Sequence, residues 1–82
     1  NDRIARGVYR AAGELGLRIG RDLRVVSCDN TDICETLPVK LTSVRFQAYE
    51  VGVLAARILL GDAEAPQQPV CVLQPELIVR ES

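Results

Sequence analysis

The stretch Leu23-Arg24-Val25-Val26-Ser27-Cys28 constrains this chain more than any other, because it runs straight into a turn-forming cluster, Asp29-Asn30-Thr31-Asp32. Its apolar density and paired valines predict a short strand buried on both faces, of the kind found in parallel sheets. The Asp and Asn residues that follow predict an abrupt turn. In open α/β sheets, ligands sit just beyond the carboxyl ends of parallel strands. Asp29 stands at such an end and is the first candidate for contact with a small molecule. A turn or helix cap is the competing role for it.

Upstream, Asn1-Asp2 predicts the N-cap of a helix running to about Leu15, with Ile4, Ala5, Val8, Ala11, Ala12 and Leu15 along one apolar stripe. Gly16 closes it as the left-handed residue beyond the last turn. A helix feeding a buried strand implies a βαβ unit, whose first strand would lie just before Asn1. The chain has no initiating Met and opens at a helix start, so it reads as a piece of a longer protein. That topology puts Asn1 on the same sheet edge as Asp29, where ligand contact competes with simple capping.

Downstream, residues 31–38 read as irregular or as one helical turn, and residues 41–45 as an extended segment. Val51, Leu54, Ala55, Ile58 and Leu59 repeat at helical spacing within a helix of about residues 47–60, stopped by Gly61. Residues 61–69, with Pro66 and Pro69, form a loop. Residues 70–73 and 76–80 are two short strand candidates.

Composition narrows the function. The 82 residues suit one small domain with a Leu, Val, Ile and Ala core, since there is one Phe and no Trp or Met. A formal charge of -1 argues against a general polyanion binder. Arg3, Arg6 and Arg10 share a helical face, but without Lys or interleaved aromatics they read as a solvated surface. Three cysteines without close pairing do not make a disulfide framework and favour a reducing, cytoplasmic compartment. No apolar run approaches the roughly 20 residues of a membrane span. The absence of His removes Ser–His and Cys–His pairs and most zinc sites. There is no glycine-rich phosphate loop. The second acid of Asp29-Asn30-Thr31-Asp32 falls one place too late for an Asp-x-Asp-x-Thr phosphotransferase loop. Asp29, Asp32 and Glu35 read as surface carboxylates near a turn and not as a cation site. The expectation is a binding module with no catalytic residue, no cofactor and no metal.

The order of motifs is more specific than any one of them. It runs Asn1-Asp2-x-Ile4-Ala5-x-Gly7, then Ala12-x-Glu14-Leu15-Gly16-Leu17-Arg18-Ile19-Gly20-x-Asp22-Leu23-x-Val25-Val26, then Asp29-Asn30. Leu41-Thr42-Ser43-Val44-Arg45 and Glu76-Leu77-Ile78-Val79-Arg80-Glu81-Ser82 complete it. Over essentially its whole length the chain resembles the C-terminal part of the sensor domain of the LacI/GalR family of bacterial transcription repressors.

The resemblance implies an α/β fold. It is an incomplete fragment of a two-lobed, periplasmic-binding-protein-like sensor with a parallel sheet, lacking the N-terminal helix-turn-helix. Residues 1–41 would belong to the C-terminal lobe, 42–66 to the lobe crossing and a helix of the N-terminal lobe, and 67–82 to strands returning to the C-terminal lobe. The effector, a sugar or other small metabolite, would bind in the cleft, whose family positions map onto Asn1 and Asp29. An amide and a carboxylate suit the hydroxyls of a polyol. Phe46 stands where the family often has a ligand-reaching Gln, and either stacks on the effector or packs in the core. Ser27 and Cys28 replace a common Gly and aromatic. The resemblance further implies a homodimer meeting through Val8, Ile33, Cys34 and Leu37. Operator DNA would be read only through a helix-turn-helix domain outside this chain. A periplasmic or secreted sugar-binding protein of the same fold is the alternative. A fragment of this size would leave apolar faces uncovered and be marginally stable alone.

Overall fold

The computed structural model describes residues 1–82. The elements run α1 (Asp2–Glu14), β1 (Val26–Cys28), α2 (Ile33–Thr36), β2 (Thr42–Arg45), α3 (Ala48–Leu59) and β3 (Glu76–Ile78). Asn1 caps α1 as its residue type predicts, its Oδ1 accepting the Ile4 amide at 3.2 Å. Gly16 follows with a φ of 70°, the left-handed conformation expected past the helix end.

The predicted stripe of α1 divides in two. Asp2, Ala5 and Ala12 are buried, and Tyr9 between them is half-buried, with its hydroxyl donating to Val39 O at 2.9 Å. Ile4, Val8 and Leu15 instead point outward, with Ile4 and Leu15 70% and 74% exposed. The alanines face inward because a small side chain lets the helix come close to its neighbours, while the larger residues lie about 100° around the axis.

β1 and β2 pair in parallel, Val26 opposite Thr42 and Cys28 opposite Val44, in keeping with the parallel sheet that the fold class implies, although the unit expected from spacing lies across α1. β3 joins the other side of β2 antiparallel, with Ser43 opposite Ile78 and Arg45 opposite Glu76. The sheet is therefore mixed, in the order β1-β2-β3. The predicted burial of β1 on both faces is not found. Ser27 is buried, but Val26 is 63% exposed and Cys28 is also exposed. β1 is an edge strand, and α1 covers one of its faces while nothing in this chain covers the other. Residues 70–73 form no strand either. Val70 and Val72 remain exposed, because Pro69 and Pro75 flank the segment and no strand lies beside it to share a ladder.

The apolar core is small, made of Ala5, Cys34 and Leu41 with Tyr9, Val25 and Leu37 packed against it. Residues 80–82 sew this unit together. Ser82 Oγ donates to Val25 O at 2.6 Å and accepts the Thr42 amide at 2.8 Å, while the Val25 amide reaches Ser82 O at 3.1 Å. α3 buries none of its residues and stands away from the sheet. The molecule measures 56 × 18 × 15 Å with a radius of gyration of 17.3 Å, where a compact chain of this length would have roughly 12 Å.

Candidate functional site at the carboxyl edge of the parallel strands

Asp29 follows β1 directly, and its amide donates to Val44 O of β2 at 2.9 Å. Asp29 and Asn30 both hold positive φ angles, 101° and 53°. Asp and Asn tolerate that region better than most residues, yet such positions cost on the order of 1–3 kcal/mol and persist only where neighbours enforce them. Enforcement is visible here. The Asn30 amide donates to Ser43 Oγ at 3.1 Å, and Asn30 Oδ1 accepts from Arg80 Nη2 at 2.7 Å. The Thr31 amide and hydroxyl donate to Asp2 Oδ2 at 2.7 and 2.8 Å. Ser43 Oγ donates to Asp2 Oδ1 at 2.9 Å.

Asp2 is the hub of this edge. It is 1% exposed, and burial alone would push its pKa up. The Thr31 amide and hydroxyl and the hydroxyls of Ser27 and Ser43 more than reverse that and hold the carboxyl at about 2. Ser27 Oγ, buried beside the carboxylate, falls short of bonding geometry with any partner. Because Asp2 begins α1, its bonds draw the helix N-terminus against the 29–31 turn. Asn1 and Asp29 therefore share the carboxyl edge of the parallel pair, where the sequence topology put them.

The two residues differ in what they offer. Asn1 is exposed, with Oδ1 committed to its capping bond. Asp29 is exposed, and its carboxylate accepts no hydrogen bond within the chain. Phe46 follows β2 at the same edge but faces elsewhere. With Gln47, Val51, Leu54, Ile58 and Leu73 it lines an apolar groove of about 320 Å³ against α3. None of the three cavities is lined by Asn1 or Asp29. The structure thus bonds Asp2, next to Asn1, to Thr31, two residues past Asp29, and places Phe46 in the groove against α3.

The predicted subunit-facing residues also separate. Val8 lies on the outward stripe of α1, 37% exposed, and Ile33 is half-buried. Leu37 leans on the core. Cys34 is a correction, because it is 0% exposed and has no surface to give a partner. It sits on the inner side of α2, between Ala5 and Leu41. Burial pushes its thiol pKa up, and the Asp2 carboxylate adds to this.

Two residues with large roles at this edge were not singled out from the sequence. Spacing presents Asp2 as half of a capping pair and Arg80, whose side chain is 13% exposed, as part of a strand; both also stand in the motifs that carry the family resemblance, without a role assigned. Its guanidinium holds Glu35, together with Lys40, below the usual carboxylate range. A buried acid followed by distant Thr and Ser residues leaves no local signature, so neither role was visible in periodicity.

Residues 1–82 match the periplasmic binding protein-like domain family along their full length. The chain belongs to that family. It is 40% identical to YvdE, an uncharacterised HTH-type transcriptional regulator of Bacillus subtilis, covering all of this chain and 27% of that protein. It is 33% identical to the ribose operon repressor of Haemophilus influenzae, over 100% of the chain and 25% of the relative. It is 35% identical to the HTH-type transcriptional repressor PurR of Vibrio vulnificus, over 100% and 25%. The resemblance to LacI-type regulators read from the motifs agrees with these relatives. The chain spans about a quarter of their length.

Proposed function

We propose that this chain is part of the effector-sensing and dimerising domain of a cytoplasmic LacI-type transcriptional regulator, not an enzyme. The effector would be a sugar or similar polar metabolite, and operator DNA would be bound by a helix-turn-helix outside these residues. The observation that carries the reading is the Asp29 turn. A strained backbone, fixed by six hydrogen bonds from or to residues 29–31, presents an unpartnered carboxylate where parallel strands end. Asn1 adds an amide at the same edge. A carboxylate accepting two directed hydrogen bonds from vicinal hydroxyls would select a polyol over an apolar ligand. The outward stripe of Ile4, Val8 and Leu15 supports contact with a second subunit.

The test is calorimetry on the full-length regulator with D-ribose, hexoses and disaccharides as probes. Asp29→Asn is expected to weaken whichever sugar binds by at least about tenfold, the worth of a charge-assisted hydrogen bond. A sugar bound equally well by the variant would refute the assignment of Asp29.

A further inference from the structure

Arg80 lies just beyond β3, and its backbone amide donates to Thr42 Oγ1 at 2.9 Å. That bond fixes the root of the side chain beside the central strand. The guanidinium then makes bonds in three directions. Nη2 donates to Asn30 Oδ1 at 2.7 Å, Nε to Glu35 Oε1 at 2.6 Å and Nη1 to Leu41 O at 2.8 Å. A guanidinium is planar and rigid, so acceptors gathered on one such group cannot shift independently. One acceptor is the left-handed residue next to Asp29. Another lies in α2, the segment expected to approach a second subunit.

We propose that Arg80 is a positioning residue that couples the Asp29 turn to α2, so that displacement of either is transmitted to the other. This rests on the effector and subunit roles proposed above. A lysine could not replace it, because a single ammonium on a flexible stem cannot span these acceptors at fixed angles. The coupling is reciprocal: a ligand that moves the turn alters α2, and a partner that clamps α2 stiffens the turn.

The experiment is amide hydrogen exchange in the full-length regulator without ligand, read at Asn30 and Thr31, whose amides are bonded to Ser43 and Asp2. Glu35→Ala frees one arm of the fork and is expected to speed exchange at both amides about tenfold. In an Arg80→Lys background the same substitution is expected to add nothing. Lys40→Ala removes the other cation on Glu35, which lies at 3.2 Å, and is expected to leave the turn unchanged. Because Arg80→Lys can compromise folding, Asn30→Gly gives a second reading. It keeps the left-handed backbone, removes the acceptor, and is expected to speed exchange of the Leu37 amide at the far end of α2. Additive effects of Glu35→Ala and Arg80→Lys, an equal effect of Lys40→Ala, or an unchanged Leu37 amide after Asn30→Gly would each overturn the coupling. Failure of the effector reading looks different: Asp29→Asn binds sugar normally while the exchange pattern stands.

Discussion

Replacing Asp2 with asparagine isolates what holds the site edge together. The carboxyl sits at about 2 against an ordinary 3.8. With each pKa unit corresponding to about 1.4 kcal/mol, its ionised form stabilises the fold by on the order of 2 kcal/mol. The folded pKa is depressed, so this contribution is fully present above the unfolded value near 4. It is lost as pH falls through about 2, because between those limits the unfolded chain takes up a proton that the folded one refuses. Asparagine keeps one oxygen for Thr31 but turns an NH₂ group toward the Ser43 hydroxyl, which now donates to Asp2 Oδ1. Urea unfolding of the intact domain should therefore show Asp2→Asn about 2 kcal/mol less stable than wild type at pH 7. The gap should shrink steadily from pH 4 toward pH 2. A carboxyl carbon titration by NMR should place the Asp2 midpoint near 2. A stability gap that does not change with pH, or an Asp2 midpoint at the ordinary value, would refute the account of this hub.

Three further outcomes follow from the packing. A Cβ on Gly20, which has a φ of 84°, would stand 2.5 Å from the Glu81 carbonyl oxygen. Gly20→Ala should cost roughly 2–3 kcal/mol in thermal or urea unfolding. Gly13→Ala, in α1 with open space around it, should instead gain up to about 1 kcal/mol. Thiol labelling of the native protein should modify Cys28 and spare Cys34, since the first is exposed and the second buried; rapid labelling of Cys34 would contradict its place in the core.

Much of the architecture could be read from spacing. The apolar repeats located α1 and α3 to within a residue or two, and Asp and Asn after a valine pair marked the turn. Helical spacing before β1 implies a parallel partner across α1, whereas the parallel partner seen here is β2, which spacing marks only as an extended segment. What escaped depended on residues far apart in the chain. Asp2 meets Thr31 and Ser43 across separations of 29 and 41 residues, and a helix-start acid has an adequate local role that hides the distant one. Spacing marks the stripe of α1 as apolar, but a broad stripe has two halves, and the inward one is chosen by distant packing against Cys34 and Leu41. Cys34 illustrates the same limit, since a single helical turn has no period from which to tell its inner side. Residues 70–73 carry strand-forming side chains, and the flanking Pro69 and Pro75 together with the absence of a neighbouring ladder decide against them. At Phe46 the residue type permits stacking or packing, and the side chain lines the groove against α3, a placement that no local pattern marks.

The bonds between Ser82 and Val25 join residues separated by 57 positions. Closing a loop of that length costs about 3–4 kcal/mol of chain entropy before any contact repays it. The first strand therefore gains its anchor late: as a ribosome extrudes the chain, Val25 emerges well before the serine that secures it. Until then the Val25 amide and carbonyl lack their Ser82 partners and the start of β1 is unanchored, which is when a chaperone, or another nascent copy, has its opportunity to bind.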